Sequence, residues 1–167
     1  MQDYCEECGF DGRDLTTGEV SARLGRVPDD VRAAMSVGDP AVLRHRPDPD
    51  TWSPVEYLGH LRDLMAWHRF LIEQGVAEDR PAVPIVDPDA SVATSGYADA
   101  DVDQLFEQFA RRVERLRARI DALEPGQAAR RIQWVQGEEI DVELVARSAL
   151  HEGFHHTADL HRLTGTG

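Results

Sequence analysis

Lysine is absent from this chain: all 18 basic residues are arginine, a bias that points to a high-GC genome and carries no mechanism. Against 31 acidic residues they leave a formal net charge of −13. A surface that acidic repels nucleic-acid phosphates and anionic headgroups, so neither nucleic acid nor a membrane is expected as a partner, whereas cationic metals are favoured. Cysteine is scarce. Cys5 and Cys8 are the only two, too few for a disulfide scaffold and suited to a reducing compartment. No stretch approaches the ~18 to 20 consecutive apolar residues of a membrane span. The opening MQDYCEECGFDGRDL has neither the basic region nor the apolar core of a signal peptide, so a cytoplasmic location is expected. Internal repeats and low-complexity tracts are lacking too, and strand signal is sparse.

What is present reads as helix. The 167 residues, 41% of them apolar, suffice for one domain with a hydrophobic core. From Val102 to Leu123, apolar residues recur at Val102, Leu105, Phe106, Phe109, Val113, Leu116, Ile120 and Leu123. That spacing forms one continuous stripe, with Asp101 as cap and Pro125-Gly126 as stop. Residues 53–75 open on Ser53-Pro54-Val55-Glu56, a capping box with proline at the first helical position, and end at Gly75. A further helix runs from Asp141 to about Thr164, before Gly165. The segment 17–37 keeps helical spacing at Leu24, Val27, Val31 and Met35, with Pro28 dividing or kinking it. Stretches 40–50 and 77–100 read as loops. Arg131–Val135 and Glu139-Ile140, flanking Gln136-Gly137, suggest a short hairpin before the last helix. The fold class expected is all-α, a four-helix bundle. Residues 1–14 form an N-terminal CxxC segment and 15–167 the helical bundle domain.

The histidines carry the chemistry. His151 and His155, spaced i, i+4, stack one turn apart on the last helix. Two imidazoles so placed bind one ion at Zn–N distances of about 2.0–2.1 Å, and a third ligand must come from another helix. His60 offers it, in a stripe of Glu56, His60, Asp63 and Trp67 whose ionisable members are odd for a core face. Asp63 or Glu56 is then placed to orient His60. Three neutral imidazoles and an open position make a Lewis-acid or water-activating centre. The competing account leaves these histidines solvated or singly hydrogen-bonded.

The stretch TWSPVEYLGHLRD and the later ALHEGFHHTADL together resemble the DinB/YfiT-like superfamily of bacterial four-helix-bundle proteins, over about residues 15–165. The resemblance implies a metalloenzyme whose divalent ion, zinc or nickel, is held by His60, His151 and His155. It further implies a small-molecule substrate, with hydrolase chemistry or a transferase or isomerase reaction using a low-molecular-weight thiol. Bundles of this type also pair, so a homodimer is expected. A non-catalytic metal-binding protein is the alternative. Relatives often follow the last ligand with Arg-Gly-Gln, where this chain has His156-Thr157-Ala158-Asp159. His156 lies about 100° around the helix from His155 and is expected to be a neighbour or solvent-facing.

His151-Glu152-Gly153-Phe154-His155 also reads as the HExxH of zinc proteases, with Glu152 as catalytic base. The longer metzincin form requires glycine where Ala158 stands, and only six residues follow His161. Proteolysis is therefore disfavoured. Glu152 remains either a base beside the ion or a solvated helix residue. A di-iron site needs two Glu-x-x-His pairs, and Glu56 to His60 is one residue too long.

Cys5-x-x-Cys8-Gly9 looks like half of a zinc knuckle, giving a second, structural zinc if two more ligands arrive. Those would be histidines such as His45, or cysteines of a second subunit. A redox dithiol and an unstructured tail with free thiols are the alternatives.

Overall fold

A computed structural model describes residues 1–36 and 39–166. The chain runs β1 (Tyr4–Cys5), β2 (Phe10–Asp11), α1 (Thr17–Leu24), α2 (Val27–Ala34), α3 (Pro54–Ala77), α4 (Pro88–Ser95), α5 (Val102–Asp121), β3 (Arg131–Gln133), β4 (Glu139–Asp141) and α6 (Val142–Thr164). The broken pair α1–α2, with α3, α5 and α6, makes the four-helix bundle. None of the described helices is long and apolar enough to cross a membrane.

Helix α3 is the central member, packed on α5 along one side and α6 along another. Its burial explains why: Val55, Leu58, Leu61, Met65, Leu71 and Ile72 are all solvent-inaccessible. The stripe on α5 turns Leu105, Phe106, Phe109, Val113, Leu116 and Ile120 inward, leaving Arg111 and Arg115 exposed. Both helices start where expected. Asp101 accepts from the Gln104 amide at 2.8 Å, and the Ser53 amide and hydroxyl donate to Glu56 at 2.9 and 2.6 Å. Glu56 also takes two bonds from Arg46, at 2.8 and 2.6 Å.

The first helical segment is cut in two. Gly25 ends α1, and Pro28, which lacks an N–H, sits in the first turn of α2 where none is needed. The guanidinium of Arg117 lies in the break and donates to the Ser21 carbonyl at 2.8 Å. The expected end of this segment at Val37 lies outside the described residues. The long connection 77–100, read as loop, contains α4, capped by Asp87 and ended by Gly96 at φ +68°. The hairpin before α6 is present, β3 pairing antiparallel with β4. A second hairpin joins β1 to β2 around the CxxC.

Candidate metal centre

A helix of 3.6 residues per turn carries residues 151 and 155 on one line and residues 152 and 156 on another, about 100° away. Helix α6 thus presents two adjacent edges. Toward α3, Glu152 and His156 meet His60, and one ring nitrogen or carboxylate oxygen from each lies within 4.8 Å of the others. His156 Nε2 is 3.3 Å from Glu152 Oε2, and the His60 and His156 ring centroids are 5.1 Å apart. Trp52 packs on His60 with centroids 4.8 Å apart, and Tyr57 packs on His156 at 5.3 Å. Beside His60, a Cβ on Gly59 would overlap the Tyr97 ring. Glycine there brings Tyr97 directly onto the helix backbone.

The three groups have divergent electrostatics. Burial, with the charge on His156 second, pulls His60 down to about 4. Burial also opposes protonation of His156, but hydrogen bonds to Asp159 and Glu152 outweigh it and raise that imidazole to about 8. Glu152 falls below the carboxylate range because bonds from His151 and His156 overcome its desolvation. Without an ion, neutral His60 therefore faces a His156 imidazolium paired with the Glu152 carboxylate. A divalent cation can take the place of the His156 Nε2 proton. The donor set fits such an ion. Two imidazoles and one carboxylate are the three-protein-ligand set of His₂Glu zinc centres, which keep a fourth position open. His156 Nδ1–H donates to Asp159 at 2.8 Å, fixing the ring as carboxylates behind metal-bound histidines do.

His60 and Glu152 open into a cavity of about 550 Å³, walled by Trp67, Phe70, Val92 and Trp134. That size suits a small molecule. Polar side chains face it too, Asp63, Arg112, Ser148 and His68 among them. Ser148 is buried, with its hydroxyl unpartnered among the described residues. His68, also buried, donates Nδ1–H to the Leu64 carbonyl at 2.8 Å. On the far side His156 lines a second cavity of about 520 Å³, with Trp52, Tyr57 and Asp159.

The model of the DinB superfamily matches residues 23–160. This chain belongs to the DinB superfamily. Among solved structures, the DinB-like bundle is similar to YfiT from Bacillus subtilis, described as a probable metal-dependent hydrolase with an unusual four-helix bundle topology. The TM-score is 0.77 at 20% identity, covering 91% of this chain and 89% of that one. The likeness establishes a shared fold. No curated protein matches the sequence.

Within this DinB-superfamily bundle, the residues expected to share one ion are divided. His60 stands with Glu152 and His156, whereas His151 and His155 stand with Cys5 and Cys8, each set within 4.8 Å. Among the described residues, His60, His151 and His155 do not form a common group. Glu152, expected as catalytic base, stands within the group formed with His60 and His156. His156, expected to be a neighbour or solvent-facing, is half-buried beside it. The signal for the pair was in the sequence: Glu152-x-x-x-His156 is an i, i+4 pair offset by one residue from His151-x-x-x-His155. Glu56 and Asp63, expected to orient His60, are engaged elsewhere. Glu56 binds Ser53 and Arg46, and Asp63 binds Tyr97, Arg62 and Arg112. His45, suggested for the cysteines, lines a separate hollow with Asp39 and Pro47.

The cysteine hairpin docks on the other edge of α6. Cys5 is buried and not in a disulfide, its Sγ 3.8 Å from His155 Nδ1. The Cys8 backbone N–H, then the His151 side chain, pull its thiol down to about 6.

Proposed function

We propose that this protein is a metal-dependent hydrolase in which His60, Glu152 and His156 hold one divalent ion, zinc or nickel. The observation that carries this reading is the convergence of two imidazoles and a carboxylate from α3 and α6, two of which, His60 and Glu152, line a roughly 550 Å³ cavity. A bound ion would supply Lewis acidity there. The chain's own residues do the rest. Trp67, Phe70 and Trp134 exclude water and hold the apolar body of a small substrate, and Asp159 keeps His156 oriented. The description of YfiT as a probable metal-dependent hydrolase supports the same chemistry. Transfer to a low-molecular-weight thiol is the runner-up within the same site.

The test combines metal content with turnover of small ester and amide substrates, on untagged protein. Wild type is expected to hydrolyse them only when metal-loaded. His156→Ala and Glu152→Ala are each expected to lose both ion and activity. Hydrolysis that survives chelation would overturn the reading. Turnover appearing only with an added thiol would move it to the transferase.

A further inference from the structure

We propose that Cys5, Cys8, His151 and His155 form a second metal site, a closed four-ligand zinc clip that fastens the N-terminal hairpin onto α6.

Four observations converge on it. The ligands are two thiols and two imidazoles, and one donor atom from each lies within 4.8 Å of the rest. A tetrahedral zinc with bonds of about 2.0–2.3 Å separates its ligands by roughly 3.3–3.8 Å, so closure needs movements on the order of 1 Å. The local architecture is that of a zinc knuckle. Cys5 and Cys8 flank the turn between β1 and β2, Cys5 pairs with Phe10, and Gly9 takes φ +72° where a side chain would be strained. A C-x₂-C hairpin facing an H-x₃-H helix is a structural zinc spacing, here assembled from opposite ends of the chain. The histidines sit at the hairpin. His155 turns Nδ1 toward Cys5 at 3.8 Å and Nε2 toward the buried Asp159 at 3.8 Å, and the buried His151 has Nε2 3.4 Å from the Gln2 side-chain amide of the N-terminal segment and Nδ1 3.7 Å from Glu152. Finally, the hairpin is already seated: Phe10 packs on His151 and Phe154 with centroids 5.5 and 5.9 Å apart, and Arg147 donates to the Leu15 carbonyl at 2.8 Å.

Binding releases to solvent whatever protons the two thiols and two imidazoles still carry as ligands, and oxidises nothing. Two thiolates and two neutral imidazoles around Zn²⁺ carry no net charge, which suits the burial of Cys5. The clip also has a consequence for the neighbouring centre. Met1 lines the cavity of His60 and Glu152, and Glu7 lines that of His156. Fastening the hairpin therefore builds a wall of each cavity and holds the α6 turn that presents Glu152 and His156. The site stands on its own ligands and does not depend on the hydrolase reading.

The experiment is cobalt(II) loading of the full-length, reduced protein, followed by absorption spectroscopy. Wild type is expected to show thiolate-to-cobalt charge transfer with tetrahedral d–d bands. His60→Ala should retain them, and the Cys5→Ser/Cys8→Ser double variant should lose them together with one equivalent of metal. A variant that fails to fold leaves a readout on the wild type: modification of both thiols should release one equivalent of zinc. Absence of the charge-transfer band, its persistence in the double variant, thiol modification that releases no zinc, or a Cys5–Cys8 disulfide in freshly purified metal-free protein would each overturn the clip. Loss of metal in His60→Ala with the thiolate band intact reports on the other centre alone.

Discussion

At His156 two carboxylates address one imidazole. Asp159 accepts from Nδ1 at 2.8 Å while Glu152 faces Nε2 at 3.3 Å. In the proposed centre the first fixes the ring and the second shares the ion, so their substitutions should separate. Asp159→Asn is expected to keep the ion and the fold but weaken metal affinity by about 10- to 100-fold, the range for losing a partner behind a metal ligand, as read by competition with a chromophoric chelator. Unchanged affinity would remove Asp159 from the account. Glu56 illustrates a structural carboxylate instead. Arg46 is the largest influence on it, and with Ser53 it overcomes burial to hold the carboxyl at about 2, against roughly 4.3 for a free glutamate. A folded-state pKa depressed in this way contributes stability in full above the unfolded value, and loses it as pH falls through the folded one. Arg46 remains partly solvated, so the contribution is that of a helix cap plus a half-exposed pair, about 1–2 kcal/mol. Glu56→Gln should therefore lower Tm at neutral pH, and the gap from wild type should close as pH drops from about 4.3 toward 2. A gap independent of pH would show that the charge is not what matters.

At the scale of the element, α3, α5 and α6 were legible because each carries a strong local start signal and a long apolar face. Helix α4 was not. Its Asp87-Pro88 start and Gly96 stop are ordinary punctuation, but over eight residues it buries only Val92, and so offers no periodic stripe to read. Its role appears only in three dimensions, where Val92 and the following Tyr97 roof the cavity beside His60. Gly59 is where that roof meets α3. Gly59→Ala should force Tyr97 away and cost about 1–3 kcal/mol, the range for overpacking a filled core, measured as a drop in thermal-unfolding Tm. A stabilised variant, as helix propensity alone would predict, would contradict the packing described. The break at Gly25 and Pro28 was half legible: the proline marked the division, while Arg117 lies more than 85 residues away in sequence and could not be foreseen.

For the whole molecule, helical spacing names which residues on α6 share an edge, but not which neighbour each edge meets. Both i, i+4 pairs are in the sequence. Choosing between them required knowing that α3 lies on one side of α6 and the cysteine hairpin on the other. The short N-terminal segment has no periodicity, so its docking on α6 beside His151 and His155 cannot be read from the sequence. Once assembled, the molecule places a His₂Glu set and a Cys₂His₂ set on adjacent edges of one helix turn. The measurement that decides the central claim is an anomalous-scattering map from crystals of metal-loaded protein. The account predicts an ion about 2.0–2.2 Å from His60, Glu152 and His156. An ion held instead by His60, His151 and His155, or no anomalous density beside His60, would contradict it.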